Sequence, residues 1–456
     1  MDYSCAFSRL LPILIVMYFF NFVDRSNLAN ARLGGLEKDL HMSGSDFNLA
    51  TSILFIGYLI MQLPANLLLT IARPSLFLST VMVVWGALTT CTAAASSFKG
   101  LLLVRFWLGF AEAPFFPGAM FVMSSWYTRA ELGKRYALLY AGSVLANIFA
   151  GLISAAILAN LDGHMGKRGW QWIFIIAGPL TIFFAMMSAL VLPDYPRTTR
   201  WLTDREKEFA VYRLQRDQGD NTDQRVPLLE AIKMALCDYK LYLFIVIQHC
   251  NLLSQTFTYF YPTIVSSLGY NKTQTLLLTA PPWFAAFLAS LLVTAHAAHT
   301  NERCFHVVVP MLASAVGNII MVSTLNTAAR FVAMFLLPMG ALPAFQMILT
   351  WVSNSFPKPL TKRAAAISMV NMLGNLASVY GSFLWPSDDA PRYLTGGATI
   401  AAVCVLCACG ALSMRLLLAA ENKKLDEQEP SESAERGAYG TSSGVDNRGQ
   451  SFRYIL

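Results

Sequence analysis

The feature that most restricts this chain is a series of about twelve long apolar runs, each close to the ~20 residues a helix needs to cross a ~30 Å hydrocarbon layer. In the first half they read Leu10 to Ala31, Phe47 to Ile71, Leu76 to Ala95, Leu101 to Met123, Tyr136 to Leu158 and Trp170 to Leu192. In the second they read Leu241 to Leu268, Thr275 to Ala295, Val307 to Leu325, Phe331 to Val352, Ala364 to Trp385 and Gly396 to Leu418. Helices are the reading, because the runs lack the alternation of barrel strands and lipid offers their peptide groups no other partner. Composition supports this: 55% of the 456 residues are hydrophobic and 13% charged. A water-soluble chain is charged at roughly a quarter of its positions. The sequence thus predicts an all-α integral membrane protein of about twelve transmembrane helices.

The runs form two sets of six around one long polar stretch. The predicted division is a six-helix bundle over 1–192, a central loop over 193–240, a second six-helix bundle over 241–418 and a disordered tail over 419–456. A duplicated plan of this kind is that of a secondary transporter. Orientation follows from Lys and Arg. With the N-terminus in the cytosol, connectors and tails on that side hold 24 of them and those on the other side 9, with Arg105 inside a span. Both termini and the central loop are therefore expected in the cytosol. The net charge of +7 then lies beside anionic lipid and requires no nucleic-acid partner. The first run is too long for a cleavable signal, and Asp24-Arg25 spoils the small-residue cleavage site, so it reads as an anchor that stays.

The polar segments carry no catalytic constellation. No G-x-x-x-x-G-K-[ST] loop occurs, which argues against ATP-driven transport, and no metalloprotease or Ser/His/Asp pattern points to an enzyme. Thr203-Asp204-Arg205-Glu206 fits a capping box opening a charged helix, and Leu228 to Leu236 is amphipathic. Of the eight cysteines, Cys404, Cys407 and Cys409 cluster in the last span without a His or carboxylate beside them, so they read as small packing residues rather than a metal site. No cofactor is implied. Asn271-Lys272-Thr273 is a glycosylation candidate in a loop placed outside.

Intramembrane charges carry the functional reading, since an ionisable side chain in a bilayer costs several kcal/mol unless it faces a cavity or a partner. The first six spans hold Asp24 and Arg25 late in the first, and Arg105 and Glu112 in the fourth. The last six hold only His249, with Arg415 near an edge. Arg105 and Glu112 are two helical turns apart on one face, about 10 Å in depth. One carboxylate and one guanidinium on each of two helices make a balanced set: the acids suit proton carriage and the arginines suit bidentate binding of a carboxylate. Ser26, Asn27 and Asn30 extend the polar face of the first span. Tyr58, Tyr140, Tyr259 and Trp351 are further cavity candidates, each also explicable by packing.

These residues resemble a known family. Leu11-Pro12, Tyr18-Phe19, Asp24-Arg25-Ser26-Asn27, Leu63-Pro64-Ala65-Asn66 and Arg105-x-x-x-Gly109-x-x-Glu112-Ala113-x-x-x-Pro117-Gly118 are similar to its pattern. So are Ser125-Trp126-Tyr127-x-Arg129-x-Glu131-x-Gly133-x-Arg135, Lys362-Arg363-Ala364, Asn371, Gly374-Asn375 and Ala390-Pro391-Arg392-Tyr393. The chain resembles, to about Leu418, the anion:cation symporters of the major facilitator superfamily, the fungal permeases for allantoate and nicotinate above all. The resemblance implies proton-coupled symport of a small organic anion by alternating access. Asp24 and Glu112 would carry protons, and Arg25 and Arg105 would bind substrate. Gln346, Asn371 and Asn375 are candidate neutral hydrogen-bonders to it, or polar glue between helices. Arg129, Glu131 and Arg135 would belong to the cytosolic gating loop. Two departures touch that gating: the family's Asp-Arg between the second and third spans is replaced by Thr70-Ile71-Ala72-Arg73, and Ala298-His299-Thr300-Asn301-Glu302-Arg303 lacks an acid at its start.

The reading is a secondary active transporter with a small organic anion and protons as partners, functional as a monomer in the plasma membrane. Two alternatives stand beside it. An efflux antiporter of a secondary metabolite is disfavoured because Ala141 to Gly151 contains no proline. A transport-inactive nutrient sensor would need no ionic set.

Overall fold

A computed structural model describes residues 4–127, 129–196, 198–199, 202–218, 227–356, 359–438 and 453–456. Among them every run becomes a long helical segment, and no strand occurs. The first half contributes Ser4–Leu33, Asp46–Ile71, Pro74–Thr92, Phe98–Glu112 continued by Phe115–Ser124, Arg129–Asn160 and Gly169–Val191. The second contributes Tyr239–Ser254 continued by Gln255–Tyr259 and Tyr261–Ser266, then Lys272–Thr300, Phe305–Ser323 and Thr327–Ser355. Leu360–Asn375 continued by Ala377–Gly381, and Leu394–Ala438, complete it. These are called the first to twelfth spans. Among the described residues, eight helices are by themselves long and apolar enough to cross a membrane. The first span dilutes its apolar run with Asn21, Asp24, Arg25, Ser26, Asn27 and Asn30, whereas the seventh and eleventh are broken into pieces.

Each half packs largely on itself. The first span lies against the fifth and sixth, the second against the fourth, and the third against the sixth. In the second half the ninth span lies against the tenth and twelfth, and the seventh against the eleventh and twelfth. The main contact between halves joins the fifth and eighth spans. At the end of the bundle away from both termini, Ser52 Oγ and Ser382 Oγ are 2.5 Å apart and Ser382 Oγ donates to the Asn48 carbonyl at 3.1 Å. Beside them Arg32 lies over the Phe47 ring at 4.4 Å, and Phe47 meets Phe260 edge to face. The two halves are closed together there. Toward the termini they also meet where the Tyr140 and Phe345 rings stack at 4.9 Å.

The central loop forms two helices, Asp204–Gln218 and Leu228–Leu236. Glu206 closes the first by accepting from the Thr203 amide and hydroxyl, each at 2.8 Å. Those two bonds hold the Glu206 carboxyl below its ordinary pKa. The second helix turns Ala231 and Ala235 inward and packs on the eleventh span. The tail departs from expectation. The twelfth helix runs on from 418 to Ala438, and residues 453–456 lie against the second half, while 439–452 fall outside the described residues. Alternating polar composition hid this, because a charged helix beyond the bilayer and a loop look alike in hydropathy.

Candidate functional site

The fourth span breaks at Ala113-Pro114, where proline removes an amide donor and its ring crowds the preceding turn. Glu112 thus ends a helix in the middle of the bundle. Two glycines set how that helix is rotated. A Cβ on Gly109 would stand 1.9 Å from the Leu54 carbonyl, and one on Gly57 would stand 2.2 Å from that of Phe106. Only glycine permits this approach of the second and fourth spans. Arg105 lies one turn before Gly109 and Glu112 one turn after, so both turn inward, 2% and 1% exposed.

Arg25 and Glu112 form an ion pair between the first and fourth spans, Nε to Oε2 at 2.5 Å. The Arg25 guanidinium also lies over the rings of Tyr58 at 5.0 Å and Phe22 at 5.6 Å. Among the described residues Arg105 has no such match: its Nε and Nη1 are buried without a hydrogen-bond partner there, as is Glu112 Oε1. The second half reaches this set through Tyr259, which lies within electrostatic range of Arg25, Arg105, Glu112 and Tyr58. Tyr259 belongs to the short 3-10 helix Gln255–Tyr259 that interrupts the α-helix of the seventh span. Interrupted spans are where membrane transporters place binding groups.

Asp24 behaves differently from its neighbour. Consecutive helical residues point about 100° apart, so Asp24 faces the sixth span, where Thr181 Oγ1 donates to its Oδ2 at 3.0 Å. Its other oxygen is buried and unpartnered. The structure therefore pairs Arg25 with Glu112 and turns Asp24 toward the sixth span, still within electrostatic range of Glu112 and Arg105. Ser26 and Asn30 are used for packing: Ser26 Oγ donates to Asn147 Oδ1 at 2.8 Å, and Asn30 Nδ2 to Ser154 Oγ at 3.0 Å.

The major facilitator superfamily model matches residues 14–382 of this chain. The chain belongs to the major facilitator superfamily. It is 33% identical over 438 residues to the major facilitator-type transporter hxnP of Emericella nidulans, covering 92% of this chain and 86% of that protein. It is 32% identical over 410 residues to the MFS-type transporter cnsO of Penicillium expansum, covering 86% and 79%. A bacterial homologue of the human lysosomal transporter Spinster, inward-facing and unoccupied, superposes with a TM-score of 0.66 at 17% identity, over 89% of this chain and 93% of that one.

The neutral candidates of this facilitator chain are spread. Gln346 accepts from Thr294 Oγ1 at 3.1 Å, leaving its Nε2 buried and unpartnered, while Asn375 Nδ2 bonds the Asn371 carbonyl of its own helix at 2.8 Å. Asn371 is itself buried. His249 bonds the Leu373 carbonyl at 3.0 Å and Tyr380 Oη at 2.5 Å on an exposed flank, so it joins the seventh and eleventh spans outside the ionic set. Trp351 is not at the cavity: its indole donates to the Ile455 carbonyl at 2.9 Å near the termini. Asn271 caps the eighth span, Oδ1 accepting from the Gln274 amide at 2.8 Å. In the loop motif, Glu131 pairs with Arg135 at 3.0 Å and with Arg213 of the central loop, and Arg135 lies over the Tyr127 ring at 3.6 Å. The Arg129 side chain lies outside the described residues.

Three participants escaped sequence reading. Thr181 looks like an ordinary polar residue in an apolar run until the fold sets it on Asp24. Arg213 sits among many loop charges. Gln248 is fully buried in the seventh span with both amide atoms unpartnered. An uncompensated amide inside a span was a readable signal for the last of these.

Proposed function

We propose that this facilitator is a proton-coupled symporter of a small organic anion, with both termini in the cytosol. One observation carries the reading: a fully buried Arg105 with two donors unsatisfied, beside an Arg25 already paired to Glu112. A buried guanidinium left unpaired is costly, and a substrate carboxylate would supply the fork-shaped partner it lacks. Glu112 is then the proton site. Protonated, it releases Arg25, so that both arginines can hold the anion. Deprotonated, it reclaims Arg25 and favours release. Asp24 contributes a second acid in the wall, and Tyr259 carries the state of the set to the second half. With the termini inside, the closed Asn48–Ser382 end faces outside.

The test is uptake into proteoliposomes with an imposed proton gradient, screened over small carboxylates. Accumulation that collapses when the gradient is dissipated supports the reading. Exit of uncharged compounds driven by protons moving the opposite way down their gradient would replace it with antiport.

A further inference from the structure

The two halves close their terminal ends with the same arrangement, supplied in different ways. In the first half, Asp194 follows directly on the sixth span. Its carboxylate accepts from the Ser75 amide at 3.2 Å and the Ser75 hydroxyl at 2.6 Å, at the start of the third span. Its carbonyl accepts from the Trp126 indole at 2.9 Å, just past the fourth. In the second half the corresponding places are the start of the ninth span and the end of the tenth. There the Leu456 main-chain oxygen accepts from the amides of Arg303 at 2.6 Å and Cys304 at 3.4 Å, and the Ile455 carbonyl accepts from the Trp351 indole at 2.9 Å. The twelfth helix does not turn back here, since it continues as helix to Ala438. A returning segment takes the place that Asp194 holds in the first half.

That segment has a fitted receptor. Asn422 on the extended twelfth helix grips Tyr454 at both ends of one residue, Nδ2 to its carbonyl at 2.9 Å and Oδ1 from its amide at 2.8 Å. Lys240 at the start of the seventh span bonds the Tyr454 hydroxyl at 3.2 Å and lies over its ring at 4.7 Å, while held by Glu421 at 3.0 Å. Arg453 pairs with Asp426 at 2.6 Å. Tyr454 and Leu456 pack on the core. Four of the six spans in this half are thereby tied by four residues.

We propose that residues 453–456 are a detachable clamp, and that the groove between Lys240, Arg303, Trp351 and Asn422 is a receptor for this segment of the chain. Its grip is a handful of hydrogen bonds, each worth modest net stability, with the Arg453–Asp426 pair beside them. The Asp194 clamp is fixed to its span three residues from the helix end and stays in place. Docking thus controls the stiffness of the second half alone.

The experiment is hydrogen–deuterium exchange on the full chain in nanodiscs, beside a variant lacking residues 453–456. The expected result is an increase of about tenfold in exchange at the Arg303 and Cys304 amides, with Ser75 unchanged, from the loss of the acceptor bonds. A synthetic peptide of residues 450–456 restores protection. The same peptide, labelled, should enter the full chain only at much higher concentration than the shortened one. Should the shortened chain fold poorly, Asn422→Ala replaces it, with a smaller rise at the same two amides. Unchanged exchange in both variants overturns the proposal, as does a peptide that fails to restore protection. A labelled peptide that never enters the full chain overturns the detachability.

Discussion

The first half of the molecule holds its ions at mid-span and is clamped by a residue beside its sixth span, whereas the second half offers neutral groups there and is clamped by a returning segment. Arg25, Glu112, Arg105 and Asp24 all belong to the first six spans, while the second offers Tyr259 from a broken helix and buried amides such as Gln248 and Gln346. At the terminal end, Asp194 ties the first half and a returning segment ties the second. The contrast teaches a division of labour. A charge-bearing bundle fixed by glycine contacts would keep the proposed proton site in register, and a bundle with uncharged groups at mid-span and interrupted helices can move against it without dragging mid-span ions through lipid.

The strongest way to break this comparison is at Glu112. Glu112→Gln should lower proton-driven accumulation in proteoliposomes by about 100-fold or more while exchange of substrate across the membrane persists, because only the protonated-like form remains. Full accumulation by this variant would move coupling elsewhere. Next comes Arg105→Lys, expected to weaken substrate binding by about tenfold, or ~1.4 kcal/mol, since an ammonium cannot make the forked contact. An unchanged affinity in a binding titration would take Arg105 out of the site. Asp194→Ala should cost about 1–2 kcal/mol by removing the acceptor at the start of the third span. It would appear as a lower melting temperature in detergent, with the exchange of Arg303 unaltered. In the neutral half, Gln346→Ala should change affinity by no more than about fivefold and leave the proton dependence alone. The smallest effect is assigned to His249→Gln: the pH profile of transport should not move, and a shifted profile would put a second proton site in the second half.

Much of the fold was legible because lipid imposes one rule on every span, and Leu10 to Ala31 or Gly396 to Leu418 could scarcely become anything else. The candidate site was legible as residue types: Arg25, Arg105 and Glu112 stand out as ions inside apolar runs. Their partners were not. The neighbours Asp24 and Arg25 read as one polar patch, and only the helical turn between them sends one to Thr181 and the other to Glu112. Trp351 read as either a cavity aromatic or a packing residue, because nothing local shows that its indole is taken by Ile455 about a hundred positions on. Long-range pairing of this kind leaves no period in a sequence, and neither does a polar helix that continues beyond the membrane.

The adjacency of Asp24 and Arg25 has a mechanical corollary. Their side chains answer to different neighbours, yet they share one rigid peptide unit. If the first span rolls by a few tens of degrees, both contacts change together, in opposite senses: what swings the guanidinium off its carboxylate also turns the aspartate within its niche against the sixth span. On the proposed reading, a proton arriving at Glu112 would be felt at Asp24 through the backbone that Asp24 shares with Arg25, like two hands of a clock fixed to a single shaft.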